Sequence, residues 1–485
     1  MNSPFDKAKY AALLEGPGIA EIFLSETEET PDFRVDAEFH KKPPADNPRY
    51  KYTRIGDILE TSQYGISIEM NEDGQGFPIY RMNEITQMLC DAEILKCADV
   101  SETEAEPFLL KDRDVLFNRT NSQAWVGRTG IYKAFSNEKR IFASYLVRFV
   151  PDYKQVLPEY LAAFLSSSFG VWDVKRRARI SINQSNVNPE EVKAIRIPLL
   201  SMGFQERITS NFEKAHKDIE SSNQLYAQAE TLLLDALKLT DWQPPVTNNY
   251  PVSSNLVWNA GRFDSEYFHP KYDAFFELMK KTAKDKGWAV ETLISLSEPL
   301  KYGTSTELDY LESGVPFLRI ADLSNKEFDA ESLKYISPEA AFLEASATVH
   351  THDVLISRSG SLGLTIAIPQ ELDGAVFGSY FIRTQPDISR INPDYLALFV
   401  NSFAGQIQIE RLTTGGVQTN LTIPAIESLR VVVPSLPEQE KLVAVVTEAR
   451  QAKRRAKSLL ERAKRAVEVA IEESEAAGLA VLEEA

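Results

Sequence analysis

The sequence predicts an α+β chain: two pseudo-repeated mixed α/β modules separated by two long coiled-coil helices. Three observations predict it. Short motifs recur at a nearly constant offset: Ser62-Gln63-Tyr64-Gly65-Ile66-Ser67 returns as Leu300-Lys301-Tyr302-Gly303-Thr304-Ser305, 238 residues later. Phe77-Pro78-Ile79-Tyr80-Arg81 likewise returns as Val315-Pro316-Phe317-Leu318-Arg319. Second, short β-branched and aromatic runs are punctuated by glycine, proline and asparagine, the pattern of strands and turns. Third, each copy ends in a long segment with apolar residues spaced alternately four and three apart, the period of a coiled coil.

The elements follow in order. Residues 1–32 are an N-terminal extension and 33–204 the first module, opened by Arg34-Val35-Asp36-Ala37-Glu38-Phe39-His40. Val115-Leu116-Phe117, Tyr145-Leu146-Val147 and Phe149-Val150 supply strands, and Ala143-Ser144-Tyr145 is matched later by Gly378-Ser379-Tyr380. A short helix starts at Pro158-Glu159-Tyr160-Leu161, where proline and an acid suit the first turn. The first spacer helix, 205–240, carries Ile208, Phe212, Ala215, Ile219, Ser222, Tyr226, Ala229, Leu233 and Ala236 on its seam. A turn-rich linker, 241–260, leads to the second module, 261–437, opened by Arg262-Phe263-Asp264-Ser265-Glu266-Tyr267-Phe268-His269. Its strands are Val354-Leu355-Ile356 and Phe381-Ile382, and its short helix starts at Pro393-Asp394-Tyr395-Leu396. The second spacer helix, 438–475, repeats the seam as Leu442, Val446, Ala449, Lys453, Ala456, Leu460, Ala463, Val467 and Ala470, and 476–485 is a C-terminal tail. Each seam would run roughly 45 Å at 1.5 Å per residue. The natural partner of each helix is the other, against the plainer possibility that each packs only on its own module.

Composition narrows the function. At 485 residues and 43% apolar, the chain has material for several cores. Cys90 and Cys97, with five scattered histidines, form neither a zinc pattern nor a disulfide framework and read as structural thiols. No basic leader or run of about 20 apolar residues is present, so a cytoplasmic protein without membrane contact is expected. The net charge of -17 argues against nucleic acid at first, yet acid concentrates in stretches such as Glu102-Thr103-Glu104-Ala105-Glu106, while Lys175-Arg176-Arg177-Ala178-Arg179 is a compact basic run. Duplicated modules suit a ligand with approximate two-fold symmetry, of which duplex DNA is the commonest. No Asn-Pro-Pro-aromatic tetrad and no phosphate-binding glycine loop occur, and Gly360-Ser361-Leu362-Gly363 is too short for a nucleophile elbow. Catalysis is therefore expected from partners.

Gly415-Gly416-Val417-Gln418-Thr419-Asn420-Leu421, then Val431-Val432-Val433-Pro434 and Leu436-Pro437-Glu438-Gln439-Glu440, resembles the end of a target recognition domain in type I restriction-modification specificity subunits. The first copy keeps Asn183-Gln184-Ser185-Asn186, Ile195-Arg196-Ile197-Pro198 and Gln205-Glu206 but lacks the glycine pair. The resemblance spans about residues 33 to 475. It implies a non-catalytic subunit whose two domains each read half of an asymmetric bipartite duplex sequence. Its two long helices would run antiparallel, hold the domains apart and dock two DNA methyltransferase subunits, with restriction and translocation subunits in the larger complex. No cofactor is expected in this chain; S-adenosylmethionine belongs to the methyltransferase.

The residue types able to grip or read DNA lie in matching places. The loop Arg119-Thr120-Asn121-Ser122-Gln123-Ala124-Trp125-Val126-Gly127-Arg128 combines guanidinium and amide groups, with Arg358, Ser359 and Ser361 as its counterpart. Arg119 and Arg358 suit phosphate positioning, whereas Gln123 and Trp125 suit sequence reading. Lys175, Arg176, Arg177 and Arg179 precede Asn183 and Gln184, as Arg411, Thr413 and Thr414 precede Gln418 and Asn420. Gln63, Tyr64, Lys301 and Tyr302 sit in the repeated Tyr-Gly turn. Each of these sets also has a purely structural reading as a strand-connecting turn or a solvated helix end. Arg81 and Arg319, inside apolar strands, are expected in structural ion pairs. Ile208, Phe212, Ile219, Tyr226, Leu233, Leu442, Val446, Leu460 and Val467 are the expected helix-pairing and partner-docking residues. The competing function is a coiled-coil scaffold whose duplicated β-rich domains bind protein.

Overall fold

A computed structural model describes residues 22–28, 33–41, 43–86, 88–134, 138–181, 184–247, 249–324, 327–330, 332–413 and 420–483. It divides into two units: unit 1 holds the chain through Glu220 and resumes at Ala452, and unit 2 is Ser221–Gln451. The chain leaves unit 1 inside the helix Met202–Ala236 and re-enters it inside the helix Leu436–Glu472.

Unit 1 is built on a six-stranded sheet in the order Leu59–Tyr64, Leu146–Pro151, Val115–Asn118, Thr129–Ile131, Met88–Cys90, Ile85–Thr86. Its first four strands are antiparallel neighbours, with Val147 opposite Tyr64 and Phe117. Unit 2 repeats that order in four strands: Lys301–Tyr302, Phe381–Thr384, Val354–Ser357, Thr365–Ala367, with Ile382 opposite Tyr302 and Ile356. The Tyr-Gly turn is the same in both, for a steric reason. A Cβ on Gly65 would lie 2.3 Å from the Ala143 carbonyl oxygen, and one on Gly303 2.3 Å from that of Gly378. Only glycine permits this backbone approach.

Behind each sheet lie two consecutive short helices where a single one was expected: Pro158–Ser166 with Ser168–Arg177, and Pro393–Asn401 with Phe403–Thr413. A serine hydroxyl turns each corner, Ser167 donating to the Phe164 carbonyl and Ser402 to the Phe399 carbonyl. Buried Tyr160 and Tyr395 donate their hydroxyls to the carbonyls of Pro198 and Val432, fixing the first helix of each pair to the strand that precedes the spacer helix. Pro270–Lys286 is a helix that no strand-and-turn reading anticipated. Its Tyr272, Phe275, Met279 and Ala283 enter the unit 2 core at helical spacing, and Gly287 in the left-handed region ends it.

The spacer helices pair as the seam requires, and they do so while entering the module cores. Within unit 1, Ile208, Phe212 and Ala215 from the start of one helix share a buried cluster with Ala456, Leu460, Ala463, Val467 and Ala470 from the end of the other, so the pairing is antiparallel. Ile219 packs against its edge. The same cluster contains Tyr160, Leu161 and Ile197, so the two readings of the seam were not alternatives. Within unit 2, Leu233 and Leu237 share a core with Val443, flanked by Leu442, and Ala229, Val446 and Ala449 are buried. Tyr226 is only partly buried; its hydroxyl donates to Glu327. The residues expected as a tail form a helix, Glu475–Glu483, whose Leu482 is buried in the unit 1 core.

Arg81 and Arg319 form the anticipated ion pairs, with Glu84 and Asp322, each closing a capping box. Cys90 is buried beside Tyr80 and Tyr132, and desolvation pushes its thiol well above the usual range. Among the described residues no helix is long and apolar enough to cross a membrane, and no cluster of metal-ligating side chains occurs.

Candidate nucleic-acid interface

In each unit three strands end together at one edge of the sheet, and there the repeat places an arginine over a tyrosine. The Arg119 guanidinium lies 5.1 Å from the Tyr64 ring centre and that of Arg358 4.9 Å from Tyr302. Backbone bonds bracket both arginines identically. Arg119 N donates to the Tyr145 carbonyl and its own carbonyl accepts from Val187; Arg358 N donates to Tyr380 and its carbonyl accepts from Leu421. Arg119 Nη2 donates to Asn186 Oδ1 at 2.9 Å, while Arg358 Nε donates to the Leu421 carbonyl at 3.2 Å. The tyrosines are half exposed, 47% for Tyr64 and 44% for Tyr302. Tyr145 and Tyr380, equivalent in the repeat, are 42% and 53% exposed. The signal that points to them was the repeated Ser-Tyr pair itself.

Around this shared frame the two surfaces differ. In unit 1, Gln123, Arg179 and Gln184 are exposed, and Asn121 uses its Oδ1 to accept from Ser122 N. Trp125 is half-buried beneath Arg128, whose guanidinium sits 3.4 Å above the indole. In unit 2, Lys301, Ser361 and Asn420 are exposed and Ser359 is half-buried. The Ser361 carbonyl accepts from buried Ser357, which shapes that loop. Asn183, Thr414 and Gln418 lie outside the described residues.

Several basic and amide groups expected at the DNA surface are instead occupied within the protein. Gln63 bridges Arg148 and the Pro107 carbonyl. Arg176 donates to Asp173 and to the Phe39 carbonyl. Arg177 is buried, bonded to Asp173 and to Glu191, itself 2% exposed on its side chain. Arg411 donates to the Tyr267 carbonyl at 3.1 Å, and the Thr413 hydroxyl donates to the Ile409 carbonyl of its own helix. The reason is a clasp that the module-opening motifs build. Arg34 makes a paired bond to Asp36 and donates Nη1 to the Arg177 carbonyl; Arg262 does the same with Asp264 and the Leu412 carbonyl. Phe39 lies under Arg34 and Arg176, and Tyr267 under Arg262 and Arg411. Each basic run thus anchors a helix end, leaving Arg179 as the exposed member of the unit 1 run.

Lys175 has an intermediate fate. Its ammonium donates to the carbonyls of Gln123 and Ala124 and holds that loop against its helix. Burial, reinforced by Arg128, lowers its pKa to about 8. In the unfolded chain it titrates near the ordinary lysine value of 10.5. Between those two pH values the folded protein binds fewer protons than the unfolded one, so the stability of unit 1 rises with pH across that window. A Lys175→Met variant loses this rise, which pH-dependent urea unfolding measures; an unaltered profile contradicts the assignment.

This frame is duplicated and surrounded in each unit by unlike polar loops. Residues 286–454 match the family described as the type I restriction modification DNA specificity domain. A putative type I restriction enzyme MjaX specificity subunit of Methanocaldococcus jannaschii is 22% identical over 430 residues, covering 86% of this chain and 91% of that protein. The type I restriction enzyme EcoKI specificity subunit of Escherichia coli is 27% identical over 184 residues, 38% of this chain and 37% of that one. The crystal structure of a type I restriction-modification system S subunit from M. genitalium matches with 13% identity and a TM-score of 0.39, covering 88% of this chain and 96% of that one. Over most of its length the chain is thus similar to type I restriction-modification specificity subunits, and residues 286–454 match the family's specificity domain.

Proposed function

We propose that unit 1 reads one half of an asymmetric bipartite duplex sequence and unit 2 the other, and that the chain presents this sequence to two methyltransferase subunits. The observation that carries this reading is the recurrence of one tyrosine–arginine frame beneath two different sets of exposed polar side chains. Hydrogen-bonding groups that differ between the copies suit base edges that differ between half-sites. Gln123, Arg179 and Gln184 serve unit 1, and Lys301, Ser359, Ser361 and Asn420 serve unit 2. Base extrusion and transfer of the methyl group from S-adenosylmethionine belong to the methyltransferase. Restriction and translocation subunits join the larger assembly, in the cytoplasm.

Two measurements test this. Disrupting the gene and sequencing the host genome for methylated bases is expected to erase one two-part motif with a fixed gap. Binding to duplex DNA across a salt series is expected to be weak for the chain alone, as its charge of -17 dictates, and tight once the cognate methyltransferase is added. A methylation pattern that survives the disruption, or no gain in affinity with the partner, overturns the proposal.

A further inference from the structure

We infer that Tyr145 and Tyr380 are sequence-neutral positioning residues that, with Arg119 and Arg358, seat each half of the duplex by its sugar–phosphate backbone. The inference rests on the DNA-reading function proposed above and assigns residues to its non-reading part.

Four observations converge. The two tyrosines occupy the same place: each immediately precedes the strand paired with the Tyr-Gly strand, and each offers its carbonyl to the backbone of the frame arginine, at 3.0 Å for Arg119 and 2.8 Å for Arg358. Both are about half exposed, although a ring that served only the core would be turned inward. Their hydroxyls have no hydrogen-bond partner among the described residues. By contrast, buried Tyr160 and Tyr395 both donate to carbonyls. Finally, each frame arginine is stacked on a second half-exposed tyrosine, Tyr64 or Tyr302, which fixes the guanidinium plane.

Identity between copies decides the role. Two half-sites of different sequence share only one chemical surface, the phosphodiester backbone. A cluster of the same residues in the same geometry on both units contacts what the halves have in common, while Gln123 and Gln184 in one unit and Ser361 and Asn420 in the other face what differs. The pairing is also apt chemically. Arginine supplies charge to a phosphate, and a neutral tyrosine hydroxyl donates to a phosphate oxygen and fixes register without adding charge.

The test uses the full chain with its cognate methyltransferase, target and scrambled duplexes, and a salt series. Tyr145→Phe and Tyr380→Phe keep the ring and the fold and remove only the hydroxyl. Each is expected to weaken target and scrambled duplex by the same factor, roughly tenfold for a bond to a charged acceptor, with the methylated motif and the log–log salt slope unchanged. Arg119→Gln and Arg358→Gln are expected to flatten that slope by about 0.9 each, one phosphate contact apiece. Tyrosine variants that bind like wild type, or that change the preferred base in one half-site, overturn the inference. Wild-type complex that shows no preference for any sequence overturns the DNA-reading function instead, so the two failures are distinct.

Discussion

Replacing Gln439 by leucine destabilises unit 2 by about 3–5 kcal/mol, and Gln205→Leu does the same to unit 1. These glutamines are completely buried, and every polar atom of each amide is used. Gln439 Oε1 accepts from Asn392 N at 2.7 Å, and Nε2 donates to the carbonyls of Arg390 and Pro434 at 3.1 and 2.9 Å. Gln205 repeats this with Leu157 N and the carbonyls of Gln155 and Leu200. The amide ties the start of a spacer helix to the start of a short helix in the module. Leucine matches the volume but leaves three backbone groups without partners in a place water does not reach, at about 1–3 kcal/mol each. The neighbouring exposed acids are the control: Glu440→Leu and Glu206→Leu shift stability by less than about 0.5 kcal/mol. Urea unfolding of the full chain reads both outcomes, and a glutamine variant as stable as its glutamate control would sink the account.

That Gln-Glu pair was legible as a motif before its reason was visible, and the same holds for much of the fold. The repeat survives in sequence wherever geometry tolerates one residue type: Gly65 and Gly303 where backbones touch, Tyr160 and Tyr395 where a hydroxyl spans two elements. Spacing alone reveals the helical seams, because a 3.6-residue period leaves a mark on any buried stripe. The helix Pro270–Lys286 carried the same mark in Tyr272, Phe275, Met279 and Ala283 and was missed because the strand-like motif before it set the expectation. The site was less legible. A run of basic letters records composition, but successive residues on a helix point about 100° apart, so Lys175, Arg176 and Arg177 cannot share a face. Asp173, three and four residues before Arg176 and Arg177, was the available clue. Tyr145 and Tyr380 had no clue beyond their recurrence, since exposure is a tertiary property.

Arg177 and Arg179 separate the two meanings of that basic run. Arg177→Ala removes the guanidinium that faces Glu191, a carboxylate only 2% exposed, and leaves an uncompensated buried charge. Breaking such a pair costs about 3–5 kcal/mol. The helix end held by Arg34 through the Arg177 carbonyl also loses its ion pair to Asp173. Unit 1 is therefore expected to unfold at distinctly lower urea, while the folded fraction binds duplex with an unaltered salt slope. Arg179→Ala is expected to do the reverse. Its side chain is exposed, so the unfolding midpoint moves far less than in the Arg177 variant. Target and scrambled duplex both bind more weakly to the variant complex, and the log–log salt slope flattens by about 0.9. The contrast is sharp because two residues in one strand-helix junction are asked for opposite results in the same pair of assays. If Arg177→Ala spared stability and flattened the slope, the clasp would be a DNA grip and the inward placement of the run would be wrong. If Arg179→Ala changed neither, the run would make no contact with DNA at all, and the reading of unit 1 would fall to Gln123 and Gln184 alone.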